Sequence, residues 1–330
     1  MLVTGATGFL GAALVRRLLR DETASVRVLV RSQAKAKALA DRGAEVIAGE
    51  ISDEKTVRSA LDGVSVVYHL AGRLFVPGIA ESEYRRTHVE GANVLLGACE
   101  KAPGFARLVH CSTTGVLGTT GETAADEETP FRPTNVYEST KAEAELAVRA
   151  RWRDRVPAVI ARPGLVYGPG DLHLLSFFRS VLRHRFRPIG RKAVLLHPIY
   201  IDDLIEGLVR CGGRSEAMGE CFHLAGKPSS LDEMATVIAR IGGTRPPRGH
   251  IPVGAARTVA AFGDLAPARL RSAMPLTSSR LEFLTHSRVY DVSKAKRLLD
   301  FVAETDLATG MERTLAWYQE QGYLRIRAAA

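Results

Sequence analysis

The segment Leu2 to Thr4 runs directly into Gly5-Ala6-Thr7-Gly8-Phe9-Leu10-Gly11 and then into an apolar-periodic stretch that ends near Arg20. A short strand feeding a glycine-rich turn that opens a helix is the context a phosphate-binding turn requires. The glycines permit close backbone approach, and the helix N-terminus offers amides and the positive end of a dipole to a pyrophosphate. The spacing Gly-x-x-Gly-x-x-Gly is tighter than Gly-x-Gly-x-x-Gly. The bland alternative is an ordinary strand-to-helix turn, and the flanking pattern weighs against it.

The first half of the chain continues as alternating strands and helices, which argues for a parallel sheet covered on both faces. Strands are read at Val26 to Val30, Glu45 to Ile47, Val64 to Leu70, Arg107 to Ser112 and Ala158 to Arg162. Helices are read at Gly11 to Arg20, Gln33 to Arg42, Thr56 to Leu61, Glu83 to Lys101 and Asn135 to Arg151. After Gly170 the pattern becomes irregular and richer in proline, arginine and glycine, and Ile199 to Arg210 looks like a return to the first unit. The expected architecture is α/β: a doubly wound parallel-sheet Rossmann fold over residues 1–170 with 196–226, and a smaller substrate-binding domain over 171–195 with 227–330.

Within the 330 residues no stretch approaches the roughly twenty uninterrupted apolar residues of a membrane span. Met1 to Val15 is apolar enough to resemble an export signal, but it lacks a basic leading region and carries the glycine turn instead. Cys99, Cys111, Cys211 and Cys221 lack the close paired spacing of a zinc site or redox motif, so reduced thiols, a cytoplasmic location and no metal are expected. A net charge of +9 suits an anionic ligand such as a dinucleotide, and equally suits solubility. The densest basic run, Arg183 to Lys192, lies in no recognisable nucleic-acid module, so no nucleic-acid partner is expected.

Tyr137 and Lys141 are four apart on a helix and therefore share a face. A nearby cation favours a phenolate, so a tyrosine whose unperturbed pKa is about 10 is brought toward proton exchange near neutral pH. Such a pair occurs by chance in many helices, and it gains meaning here from the dinucleotide-type turn. At the end of the second strand, a carboxylate would bind the adenosine ribose of NAD, whereas a cation accommodates the 2′-phosphate of NADP. That strand ends Val30-Arg31, with Lys35 and Lys37 close behind. NADP(H) is therefore favoured over NAD(H), the alternative being a solvated helix face.

The glycine turn, the strand end His69-Leu70-Ala71-Gly72, the run Ser112 to Gly118, the Tyr137/Lys141 pair and Arg162-Pro163-Gly164-Leu165-Val166-Tyr167-Gly168 stand in order along the chain. With His197 to Leu204 and Tyr290 to Lys296, they resemble the extended short-chain dehydrogenase/reductase family nearly end to end. The resemblance implies that Thr113 hydrogen-bonds the reacting oxygen, that Tyr137 is the general acid or base, and that Lys141 binds the nicotinamide ribose and holds the tyrosine reactive. It implies cofactor contacts from Gly5, Thr7, Gly8, Phe9, Leu10 and Gly11, from Arg31, from Glu50 and Ile51 beside the adenine, from Leu70, Ala71 and Gly72, and from Pro163, Gly164, Leu165 and Val166. It further implies a homodimer through the helices around Glu83 to Lys101 and Asn135 to Arg151. Two positions depart from the family pattern: His88 stands where asparagine is usual, and Glu50 where aspartate is more common.

Sugar-nucleotide members of the family usually have asparagine where this chain has Leu165 and an arginine where it has Leu196. Losing both polar anchors should weaken diphosphate binding by several kcal/mol. The Arg162-Pro163-Gly164 form and the run Arg73-Leu74-Phe75-Val76-Pro77 look more like the 3β-hydroxysteroid dehydrogenase and dihydroflavonol reductase branch. That points to an apolar secondary alcohol or ketone, with Arg73, Phe75 and Thr114 as candidate substrate contacts. Arg183, Arg185, Arg187 and Arg191 keep open the alternative of a sugar-nucleotide epimerase or dehydratase with tightly bound cofactor.

Overall fold

The computed structural model describes residues 1–21, 23–152, 154–267, 270, 274 and 276–325. Its first half alternates strand and helix: β1 (Leu2–Thr4), α1 (Phe9–Leu18), β2 (Arg27–Val30), α2 (Gln33–Ala40), β3 (Glu45–Ala48), α3 (Glu54–Leu61), β4 (Val66–His69), α4 (Glu81–Arg85), α5 (Gly91–Cys99), β5 (Arg107–Cys111), α6 (Val136–Arg149) and β6 (Ala158–Pro163). Then follow β7 (Leu165–Tyr167), α7 (Leu175–Leu182), β8 (Leu195–Leu196), β9 (Pro198–Tyr200), α8 (Ile201–Gly213) and β10 (Cys221–Leu224). The main sheet has seven strands in the order β10-β6-β5-β4-β1-β2-β3, all parallel.

Successive side chains of each strand supply opposite faces of this sheet. Val3, Val28, Val30, Val109, Val159 and Ala161 join the core on the α1/α8 side, whereas Leu2, Leu29, Leu108, Ala158 and Ile160 join the core on the α3/α5 side. Both faces are covered, so the strand centres are mainly apolar, as in parallel sheets, while His69, His110, Arg162 and His223 are buried toward the carboxyl ends. Strand order reverses between β1 and β4, and a crevice opens there outside the carboxyl ends of the strands.

The strands expected from sequence lie within a residue or two of those observed. The expected single helix from Glu83 to Lys101 instead runs from Glu81 to Cys99, with a π-helical turn at Arg86–Glu90 between α4 and α5. That wider turn carries His88, which is buried. Beyond Gly170 the chain adds α7, α9 (Leu231–Ile241), α10 (Val253–Asp264) and the helices Ser278–Thr285, Ser293–Leu299 and Leu307–Glu320. Phe178, Met234, Met311 and Tyr318 from these helices belong to the same core cluster as Val3 and Val28.

Candidate active site

Gly5 has φ of +71°, and a Cβ on it would lie 2.7 Å from the carbonyl carbon and oxygen of Leu70 and 2.8 Å from the amide nitrogen of Ala71. A Cβ on Gly11 would lie 2.2 Å from the Gly5 carbonyl oxygen. The turn therefore presses its backbone onto the end of β4 and onto itself, which only glycine allows. Gly8 is the N-cap of α1, makes no side-chain cap, and no acidic residue follows in the first turn. These first amides and the dipole are thus left for an anionic ligand. Thr4 ties the two strand ends together, accepting the Ala71 N–H at 3.2 Å and pairing with His69 Nδ1 at 2.8 Å.

A single cavity of about 690 Å³ runs from this turn across the strand ends. All the expected cofactor positions line it, as do Thr113, Thr114, Tyr137, Lys141, Arg73 and His88. Arg31 and Lys35 are exposed at one end of it. Lys37 is not part of the lining and instead pairs with Asp41 at 3.3 Å. Glu50, the acid nearest the adenosine end, is hydrogen-bonded by Arg86, which holds its carboxyl below the usual range. Phe75 does not line the cavity, whereas its neighbour Leu74 does.

Helix α6 starts at Asn135, whose side chain accepts the Glu138 N–H at 3.0 Å. This fixes Tyr137 in the first turn and Lys141 one turn on, both on the cavity. The Thr113 hydroxyl lies near enough to the Tyr137 phenol to favour its ionised form, and Thr113 Oγ1 accepts the Gly115 N–H at 3.1 Å. The Lys141 Nζ donates to the Cys111 carbonyl at 2.6 Å, and the residue lines the cavity beside Tyr137. Tyr137 keeps some surface on the cavity, but its phenol is enclosed by protein, and that burial pushes its pKa above the ordinary value, outweighing the effect of Thr113. Burial likewise lowers the pKa of Lys141. In this arrangement burial favours the protonated phenol.

His88 accounts for the helix position that departs from the family pattern. Its Nε2 accepts the Arg73 N–H at 3.0 Å, which leaves the ring proton on Nδ1, 2.8 Å from Thr140 Oγ1. Thr140 in turn donates to the Val136 carbonyl at 2.8 Å. Burial, reinforced by Lys141, pushes the His88 pKa down to about 3, so the ring is neutral. Below the strand ends, Arg162 and Glu145 are fully buried and bidentate, at 3.0 and 2.7 Å. Ser112 donates to the same carboxylate at 2.7 Å, which anchors the segment leading into Thr113. Burial pushes the Glu145 carboxyl up, but Arg162, Ser112 and Arg149 outweigh it and hold it below the usual range.

The far end of the cavity is lined by Leu74, Leu165, Leu196 and Phe283, with Arg288 and Tyr290 beside them. Gly164 makes this possible, because a Cβ there would lie 2.4 Å from the His197 carbonyl oxygen. Arg288 is buried and donates to Glu138 at 2.9 Å. None of Arg183, Arg185, Arg187 and Arg191 lines the cavity. Arg288 and Phe283 were not singled out from sequence, since their partners lie far away along the chain. Among the described residues, no cluster of histidine, cysteine or acidic side chains is arranged to hold a metal.

Residues 1–222 match the NAD dependent epimerase/dehydratase family. The chain is 29% identical to sterol demethylase protein B of Methylococcus capsulatus, over 98% of this chain and 99% of that protein. It is 29% identical to a 2-alkyl-3-oxoalkanoate reductase of Shewanella oneidensis (95% and 85% covered) and 30% identical to a 3 beta-hydroxysteroid dehydrogenase/Delta 5-->4-isomerase of Mycobacterium tuberculosis (91% and 85%). Among solved structures, gox2253 superposes with a TM-score of 0.82 at 26% identity, covering 98% of this chain and 99% of that one. UDP-glucuronic acid 4-epimerase of Bacillus cereus superposes with a TM-score of 0.79 at 21% identity, covering 97% and 99%, a likeness of fold.

Proposed function

The chain belongs to the NAD dependent epimerase/dehydratase family, and we propose that it interconverts a secondary alcohol and a ketone on a fairly apolar substrate, with NADP(H) favoured over NAD(H). The observation that carries the substrate class is the far end of the cavity, where Leu165, Leu196, Phe283 and Leu74 stand and none of the arginines at 183–191 reaches. A diphosphate brought there would exchange its hydration for a largely apolar wall whose nearby guanidinium, Arg288, is already paired with Glu138. The relatives named for sterols, a hydroxysteroid and an alkyl-oxoalkanoate support the same reading.

The residues fit a dinucleotide, because the Gly5 and Gly11 cradle has no room for side chains and the first turn of α1 is uncapped. A nicotinamide cofactor bound there supplies or accepts the hydride. Tyr137, kept neutral by burial, donates its proton to the reacting oxygen in the reductive direction and receives it back in the oxidative one. Thr113, held by the Gly115 N–H, orients that oxygen beside the phenol. Lys141, fixed on the Cys111 carbonyl, places a cation beneath the same site. The apolar end excludes water from around the transferred proton.

Arg31 and Lys35 at the adenosine end, with Glu50 engaged by Arg86, support the preference for a 2′-phosphate. A homodimer through α5 and α6 and a division at 1–170 with 196–226 against 171–195 with 227–330 belong to the same reading. The deciding experiment is a screen of sterol, steroid and long-chain 3-oxo compounds, followed at the nicotinamide absorbance band. Stoichiometric cofactor oxidation with such a ketone is expected. Conversion of a sugar nucleotide without net change at that band would overturn the reading.

A further inference from the structure

Helix α10 turns Ala256 and Ala260 inward onto Leu281, Ile251 and Leu276. Its outer side carries Ala255, Thr258, Val259, Ala261 and Phe262, with Leu265 at the C-cap, all exposed. Phe262 and Leu265 are 70% and 79% exposed, an extreme for large apolar side chains in this molecule. A solvated helix face ordinarily carries charge. Here the two charges of the helix, Arg257 and Asp264, fall along one edge of that face at about 3.6 residues per turn, and Asp264 is already engaged by the Ser278 N–H.

The surroundings are cationic. Between positions 244 and 267 the sequence holds Arg245, Arg248 and Arg257 against the single carboxylate of Asp264. Arg245, Arg248 and Arg257 are exposed, and Arg187 donates to the Arg248 carbonyl, bringing another guanidinium to the same edge. An apolar helix face bordered by arginines is the pattern of a helix that lies in a lipid–water interface. A second copy of this chain would bring the same arginines against these, whereas anionic headgroups complement them.

We propose that the outer face of α10 docks the protein peripherally on an anionic lipid surface, with Phe262 and Leu265 inserted among the acyl chains. The helix Ser278–Thr285, against which α10 packs, carries Phe283 into the far end of the cavity. Docking through α10 therefore sets the apolar end of the cavity beside the bilayer. This inference stands on the surface alone and does not depend on the proposed reaction.

The test is co-sedimentation of the full chain with phosphatidylcholine vesicles, with and without phosphatidylserine, alongside the oligomeric state by light scattering. Wild type is expected to bind the phosphatidylserine vesicles at least about tenfold more tightly than the neutral ones, since each arginine near an anionic surface is worth roughly fivefold. Phe262→Ser/Leu265→Ser and, separately, Arg245→Gln/Arg248→Gln should each lose at least about tenfold of that binding. All four positions lie outside the active site, so melting temperature and cofactor binding should be unchanged. Equal binding of the serine variant and wild type, absence of vesicle binding, or conversion of an oligomer to a monomer by the serine pair would each overturn the proposal. The last result would assign the face to a second copy.

Discussion

The imidazole of His88 stands edge-on against the phenol ring of Tyr137, with ring centroids 5.7 Å apart and planes at 77°. The same imidazole holds the Arg73 amide on one nitrogen and faces Thr140 on the other. It therefore braces three segments: the loop after β4, the π-helical turn, and the first turn of α6. His88→Ala should lower kcat by about tenfold or more with a smaller change in KM, since it loosens the proton donor without removing it. Because the ring is neutral down to about pH 3, the wild-type kcat profile should show no inflection near pH 6.5. An inflection there that vanishes in the variant would mean that His88 itself transfers protons.

Tyr137→Phe should reduce turnover of an active ketone by at least about two orders of magnitude while leaving cofactor affinity within a few-fold. Steady-state kinetics and calorimetric titration of the cofactor measure the two separately. Undiminished turnover would remove the tyrosine from the reaction.

Arg31→Asp should weaken NADP(H) by roughly ten- to a hundredfold, the worth of a charge-assisted bond to phosphate. NAD(H) should bind as well or better, because the new carboxylate can accept from the ribose hydroxyls. Calorimetry on wild type and variant with both dinucleotides decides it, and tighter binding of NAD by the wild type would refute the cofactor assignment.

Acid should destabilise the fold through its buried histidines. Burial pushes His69, His88 and His223 each down to about 3. The unfolded chain then binds more protons than the native one between about pH 6.5 and 3, so stability is fully present above 6.5 and falls as pH drops through that window. At pH 5 the loss is about 2 kcal/mol per histidine. Melting temperatures recorded from pH 7.5 to 4.5 should decline accordingly, and more shallowly in His69→Gln.

Arg162→Met should destabilise by about 3–5 kcal/mol, because it strands the Glu145 carboxylate in the interior. Adding Glu145→Gln should restore part of that loss. Chemical denaturation of the single and double variants provides the comparison.

The glycine turn, the strand ends and the Tyr137/Lys141 pair could be read from sequence because each is a local pattern whose chemistry lies within a few residues. The close contact of Gly5 with Leu70 and Ala71 follows from strand order, and the motif carried it implicitly. What could not be read depends on distant partners. Glu138 and Arg288 are 150 positions apart, and neither flanking sequence signals the other. The face that Lys141 shares with Tyr137 is legible in their spacing, whereas the bond from its ammonium to the Cys111 carbonyl, 30 positions away, is not. The strand β10 is not legible because Cys221–Leu224 has only four residues, too few for a pattern to stand out.

The two ends of the cavity are built under different rules. At the cofactor end backbone presses on backbone, so that even one added methyl group at Gly5 or Gly11 collides. At the far end Leu196 and Phe283 come together from separate segments as side chains. Under the proposed function, substitutions there reshape which substrate fits and leave the glycine cradle undisturbed. On that proposal the molecule joins a fixed cofactor-holding end to an exchangeable specificity end, and attempts to alter its substrate range belong at those two positions.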